Sequence, residues 1–265
     1  NMLPATIAAG AYLPARVKKE LDWPLPIANG AKGMPAKRVQ EWLTLHGFAV
    51  VIDGQFGAAT EKRLRDFQTA NGIAATGVVD ARTHERLVAP LVKALTPIAS
   101  GSHGLPALIA AYGRQHVAQH PMEAGGDNRG PWVRAYLNAD GPEWRWCAGF
   151  TCFALEQASR TLGKTAPIAS SASCDVLAMQ AKQKGLYVPA IAVASGSVPK
   201  SRLVPGTFFL IRKTSNDWTH VGIVTHADAT TFDTLEGNTN DDGSANGFEA
   251  VARTRNYAGK DFIVW

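Results

Sequence analysis

The chain has 265 residues, 46% hydrophobic and 18% charged, a composition that excludes a disordered polypeptide and is long enough for two domains. No apolar run reaches the length of a membrane span, and 3 cysteines are too few and too unevenly spaced for a disulfide scaffold or a zinc knuckle. The net charge of +5 suits an anionic partner, but Lys and Arg are scattered, without the basic helix or arginine–aromatic pattern of a nucleic-acid binder.

Residues 1–30 are rich in Pro, Ala and Gly and show no sustained period, so an extended arm is expected there. Its first residues lack the basic lead and long apolar centre of a signal peptide. From 31 to 90 the pattern sharpens. Val39, Trp42, Leu43 and His46 follow the spacing of an amphipathic helix. Asp53-Gly-Gln-Phe-Gly57 reads as a tight turn before a second helix over Ala58 to Ala70, and Thr76-Gly-Val-Val-Asp80 as another turn before a third helix that Asp80 can cap. Gly54, Phe56, Gly57, Thr60 and Leu64 recur as Gly77, Val79, Asp80, Thr83 and Leu87 at one constant offset, as a turn-plus-helix unit used twice would give.

This string, with Val39-Gln40, Phe67-Gln68 and Asn71-Gly-Ile73, resembles the three-helix peptidoglycan-binding domain found on many cell-wall hydrolases. The resemblance implies adhesion to the bacterial wall. Residues 91–105 follow as a turn-rich linker, with Pro97 and Ser100-Gly-Ser-His-Gly104.

Residues 106–265 read as α+β. Helices are expected over Leu105 to His120, Pro131 to Leu137, from Cys147 onward, and over Ser173 to Lys184. Strands are expected at Thr207 to Arg212, His220 to His226, Thr231 to Glu236 and Glu249 to Arg255. Helices first and a run of strands afterwards predict an antiparallel sheet on segregated helices.

Within Trp144-Arg-Trp-Cys-Ala-Gly-Phe150 a cysteine stands directly before an apolar pattern of helical period. A thiol in the first turn of a helix meets unpaired N–H groups and the positive end of the macrodipole, which favour the thiolate. Cys147 is therefore either a nucleophile or one more small buried residue. A nucleophile needs a base and a group to orient it. His46, His84 and His103 lie in the expected binding domain and linker. His116 and His120 have zinc-site spacing, but Val117 stands where a zinc protease carries its Glu. His220 and His226 mark the two ends of one strand, ~20 Å apart. If the strand after it returns as a hairpin, its end sets Glu236 and Asn238 beside His220, where a carboxylate or amide would fix the ring tautomer. Cys152 is expected in the core, and Cys174, which also begins a helix, is a rival nucleophile. Asn238-Thr-Asn-Asp-Asp-Gly243 with Glu249 nearly has calcium-loop spacing but begins with Asn and lacks flanking helices.

Trp146-Cys147-Ala-Gly-Phe150, His220-Val-Gly-Ile-Val224 and Glu236-Gly-Asn238, in that order, resemble the CHAP family of papain-like cysteine amidases and endopeptidases. The resemblance implies a papain-like catalytic domain with Cys147 as nucleophile, His220 as general base and acid, Glu236 as orienting group and Asn238 as a fourth polar member. Asn128, a candidate oxyanion donor, is grouped with Trp146 and Trp218 as candidate substrate contacts. The expected activity is cleavage of a peptidoglycan amide bond without metal or cofactor, by a monomer that binds neither nucleic acid nor membrane. Export by a holin or a secretion system is expected. The alternatives are an inactive wall-binding protein and a zinc amidase.

Overall fold

The computed structural model describes residues 1–239 and 247–265. Most of the calcium-like run beginning at Asn238, from residue 240 on, lies outside the described residues. The chain divides into two compact units, Asn1–Thr96 with Met122–Glu143, and Pro97–Pro121 with Trp144–Trp265.

The first unit is helical: α1 (Ala15–Leu21), α2 (Met34–Leu45), α3 (Ala58–Ala70) and α4 (Ala81–Ala94). The arm expected to be extended over 1–30 instead carries α1, whose Val17 and Leu21, with the following Trp23, are fully buried. Trp23 stacks on His84 with ring centroids 4.5 Å apart. Two turns of helix are too short for periodicity to reveal among so many prolines.

The repeated turn-plus-helix unit is built on a buried glutamine each time. Gln40 Nε2 donates to Asp53 Oδ1 (2.8 Å), Gln55 O and Thr60 Oγ1, while its Oε1 accepts from the Gly54 N–H (2.8 Å). Gln68 repeats the pattern, donating to Val78 O (2.9 Å), Thr76 Oγ1 and Thr83 Oγ1 and accepting from the Gly77 N–H (2.9 Å). Each amide thus satisfies turn groups that burial would otherwise leave unpaired. Gly54 and Gly77 both take positive φ, 70° in each case, which is why the turns require glycine. Asp80 caps α4 by accepting from the Thr83 N–H at 2.8 Å.

Residues 106–265 do not form one continuous domain as expected. Met122–Glu143, with α6 (Pro131–Leu137), belongs to the first unit. Arg134 on α6 is the reason: it pairs with Glu20 (2.9 Å), Glu41 (2.6 Å) and Asp140 (2.8 Å). A charge cluster assembled from positions so far apart in sequence leaves no local signal.

The second unit is α+β. Its helices are α5 (Leu105–Val117), α7 (Cys147–Thr161), α8 (Cys174–Gln183) and α9 (Ala190–Ala194). Its strands are β1 (Tyr187–Val188), β2 (Phe208–Thr214), β3 (Asp217–Ala227), β4 (Thr231–Thr239), β5 (Glu249–Asn256) and β6 (Lys260–Ile263), ordered β1-β6-β2-β3-β4-β5 with every pairing antiparallel. The four expected strands are β2 to β5, and the C-terminal apolar run supplies β6. Strand alternation divides the buried residues between two faces. Val224, Phe209, Phe232 and Phe262 cluster with Val193 and Leu203. Ile223 and Leu235 point the other way, against Gly113 of α5.

Helix α7 approaches β4 so closely that a Cβ on Gly237 would stand 2.7 Å from Phe150 Cβ and 3.1 Å from Trp146. Gly237→Ala should therefore destabilise the second unit by about 1–3 kcal/mol through overpacking, read as a lower denaturant midpoint with unchanged slope.

Candidate active site

Cys147 is the first residue of α7, and the first turn of a helix presents N–H groups without intrahelical acceptors. α7 and α8 both pack on β3. The groups that act on its sulfur are the thiol of Cys174, the imidazole of His220 and the Val221 N–H. His220 lies on β3 and Glu236 on β4, with Ile223 opposite Leu235 in the ladder, so the hairpin return expected from the sequence is present. His220 Nε2 and Glu236 Oε1 are 2.7 Å apart. The other ring nitrogen, Nδ1, is buried without a hydrogen-bond partner among the described residues, and Cys147 is the titratable group on that side of the ring with which His220 interacts. Gly222 makes room for this: a Cβ there would meet Glu236 Cγ at 2.9 Å and Phe209 at 2.6 Å.

Glu236, fully buried, is an expensive place for a charge unless it is neutralised and fully hydrogen-bonded. Arg255 provides both, with Nη2 to Oε1 at 2.6 Å and Nε to Oε2 at 3.1 Å, and the Thr234 hydroxyl donates to Oε2 at 2.7 Å. Burial pushes the carboxyl up, but the hydrogen bonds from His220 and Arg255 outweigh it and hold it at about 2. Burial likewise pushes His220 down, yet Cys147 and Glu236 together raise it to about 9. The Cys147 thiol is held well below its ordinary value, first by the Cys174 hydrogen bond and, against burial, by His220 and the Val221 N–H. All three directions favour a thiolate, an imidazolium and a carboxylate over the neutral forms at neutral pH. Only 4% of Cys147 and 1% of His220 is exposed, so little water screens these charges.

The other candidates lie elsewhere. Asn128 is in the first unit, where its Nδ2 donates to Pro142 O at 2.8 Å and fastens the loop between them. Trp146 is fully buried against Gly237, so it supports α7 instead of meeting substrate. Trp218, also buried, donates from Nε1 to Asp261 Oδ2 (2.8 Å), and Lys182 Nζ lies over its ring; it ties β3 to β6 rather than facing an open cleft. Asn238 takes a left-handed conformation (φ 53°), and its Nδ2 donates to Gly247 O at 2.6 Å, holding the two chain ends that flank residues 240–246.

The histidine zinc pair does not form. α5 ends at Val117, His120 follows with φ 50°, and His116 is buried with Nε2 2.8 Å from Gln157 Oε1. No group of three His, Cys, Asp or Glu side chains among the described residues could hold a metal ion. Cys152 is a core residue, its thiol raised to about 12 by burial.

Arg255 and Thr234 were not anticipated. Their signal was the alternation Thr234-x-Glu236 on β4 and Arg253-x-Arg255 on β5. Phe232 pairs with Arg255 and Thr234 with Arg253 in the ladder, which sets all four polar side chains on one face.

Residues 33–87 match the family model of the peptidoglycan binding domain. The match identifies a peptidoglycan-binding domain at those residues, which implies association with the cell wall. No curated protein and no solved structure matches the chain. No helix among the described residues is long and apolar enough to cross a membrane.

Two measurements check the charge arrangement. Alkylation of Cys147 by iodoacetamide should persist at pH values well under the ~8.5 of a free thiol, and His220→Ala should move the onset towards that value. Glu236→Gln should cost about 3–5 kcal/mol by leaving Arg255 without its buried countercharge, seen in chemical denaturation.

Proposed function

We propose that the second unit is a cysteine hydrolase of the papain-like, CHAP type that cleaves an amide bond of peptidoglycan. The observation that carries this reading is the Cys147–His220–Glu236 array: a cysteine at a helix start, a histidine on one strand and a buried carboxylate bonded to it on the next. A peptidoglycan-binding domain in the same chain supports the choice of substrate, because adhesion raises the local concentration of wall amides around a tethered catalytic unit.

The Cys147 thiolate attacks the amide carbonyl carbon. The oxyanion that forms lies at the start of α7, where the Cys147 N–H and the helix dipole favour negative charge. The proton held between His220 Nδ1 and the sulfur goes to the leaving amine as the C–N bond breaks, giving a thioester and a free amino end. Neutral His220 then takes a proton from water, whose oxygen attacks the thioester. The carboxylic acid departs and the thiolate–imidazolium pair is restored. Glu236 stays ionised throughout; it holds the Nε2 proton, and with it the ring orientation.

Purified peptidoglycan, digested by wild type and Cys147→Ser with the fragments identified by mass, tests this reading. Wild type should release new amino ends, and the variant should be slower by roughly 10³-fold or more. Equal cleavage by the variant would overturn Cys147 as nucleophile; binding of the wall without cleavage by either would leave an adhesion protein. The kcat/KM profile should rise as the thiolate forms and fall as His220 loses its proton near pH 9, since a base raised to about 9 is charged below that value and neutral above it.

A further inference from the structure

Cys174 has no part in the cycle above, yet its position is closely fixed. It is the first residue of α8, and Ser173 caps that helix by accepting from the Val176 N–H. The neighbouring Asp175 accepts the Trp218 N–H at 2.7 Å, which pins the start of α8 to β3 two residues before His220. On the other side, the Cys152 thiol donates to Ser171 O at 3.8 Å and the Ser170 hydroxyl donates to Glu156 Oε1 at 2.5 Å. These bonds fasten the segment leading to Cys174 along α7, and the Cys174 thiol interacts with that of Cys147. Two helices that both pack on β3 therefore set two cysteines beside each other at their first residues, both free and both buried.

We propose that Cys147 and Cys174 form a reversible oxidation site, in which a hydroperoxide converts the pair to a disulfide. The roles divide by charge. Cys147 is the thiolate, while its negative charge keeps Cys174 protonated, and only a thiolate attacks peroxide readily. The Cys147 thiolate takes the distal peroxide oxygen, the O–O bond breaks, and the alkoxide or hydroxide leaves with a proton. Cys147 is then a sulfenic acid. The Cys174 sulfur attacks it, the S–O bond breaks, and water departs with the Cys174 proton. Two electrons pass from the thiols to the peroxide, and a dithiol reverses the step by exchange. Capture by Cys174 also intercepts the sulfenic acid before it reaches the irreversible sulfinic acid. A protein that works at the wall meets more oxidising conditions than the cytosol, so a resolving thiol in contact with the nucleophile has a chemical use. The loss of hydrolysis on oxidation, unlike the disulfide itself, rests on the proposed hydrolase reading.

The test treats the full reduced chain with hydrogen peroxide, alkylates the remaining thiols and maps the peptides by mass without reduction. The expected result is a cross-link joining the Cys147 and Cys174 peptides, with Cys152 still alkylated and the cross-link removed by dithiothreitol. Amide cleavage should fall by more than about tenfold on oxidation and return on reduction. In Cys174→Ser, and in Cys174→Ala should the serine variant not fold, the same treatment should leave Cys147 as sulfinic acid, with no recovery by dithiothreitol. A Cys147–Cys152 cross-link, or wild-type Cys147 passing to sulfinic acid while Cys174 stays alkylatable, would overturn the proposal. The peptide masses report the disulfide whether or not the chain cuts peptidoglycan, so failure here and failure of the hydrolase reading are separable.

Discussion

A carboxylate with no solvent exposure is the constraint around which the second unit is arranged. Glu236 could not remain ionised in that interior without compensation, and its environment is built from two directions. Arg255 on one neighbouring strand supplies a forked cation in bidentate contact. His220 on the other supplies a ring whose proton the carboxylate retains. Removing the charge would leave Arg255 and His220 both wrong: the guanidinium would lose its partner, and the imidazole would lose what keeps it protonated. The stability of the β3–β4–β5 region and the electrostatics of the thiol thus depend on the same two oxygens.

The close packing around them follows from three glycines with different neighbours. Gly222 leaves the space that the Glu236 side chain fills, Gly237 lets α7 lie directly on β4, and Gly113 lets α5 lie on Ile223 and Leu235. Each admits a helix or a side chain into volume where a methyl group would already collide. Helix α7 is therefore set at a fixed depth on the sheet, with its first residue, Cys147, near the β3 backbone at Val221.

Much of this was legible in sequence wherever the signal was local. The turn-plus-helix echo at Gly54 and Gly77 predicted the repeat because the same turn geometry and the same helix face recur within a short window. The order cysteine helix, histidine strand, acid strand predicted that His220 and Glu236 meet because a hairpin converts sequence spacing into spatial register. Other features depend on partners far away in the chain. Arg134 draws Met122–Glu143 into the first unit through Glu20 and Glu41, and nothing near residue 134 reports those contacts. Asn128, Trp146 and Trp218 carry side chains suited to binding, but such side chains serve equally to fasten loops, support helices and tie strands. Burial decides between these uses, and burial is a property of the whole unit.

The same distinction separates Cys147 from Cys174, which the sequence presents as near equals. Both begin helices, so both receive the benefit of a helix N-terminus. The difference lies in what each faces besides the other. Cys147 meets the imidazole of His220 and the Val221 N–H, whereas the charges beside Cys174 are those of Cys147 itself and Asp175. A positive ring stabilises one anion, and a carboxylate next in sequence opposes a second. The His220–Glu236 pair favours the anion on Cys147, and an anion there disfavours a second on Cys174. The residue that the sequence presents as a competitor therefore favours the ionised form of its neighbour.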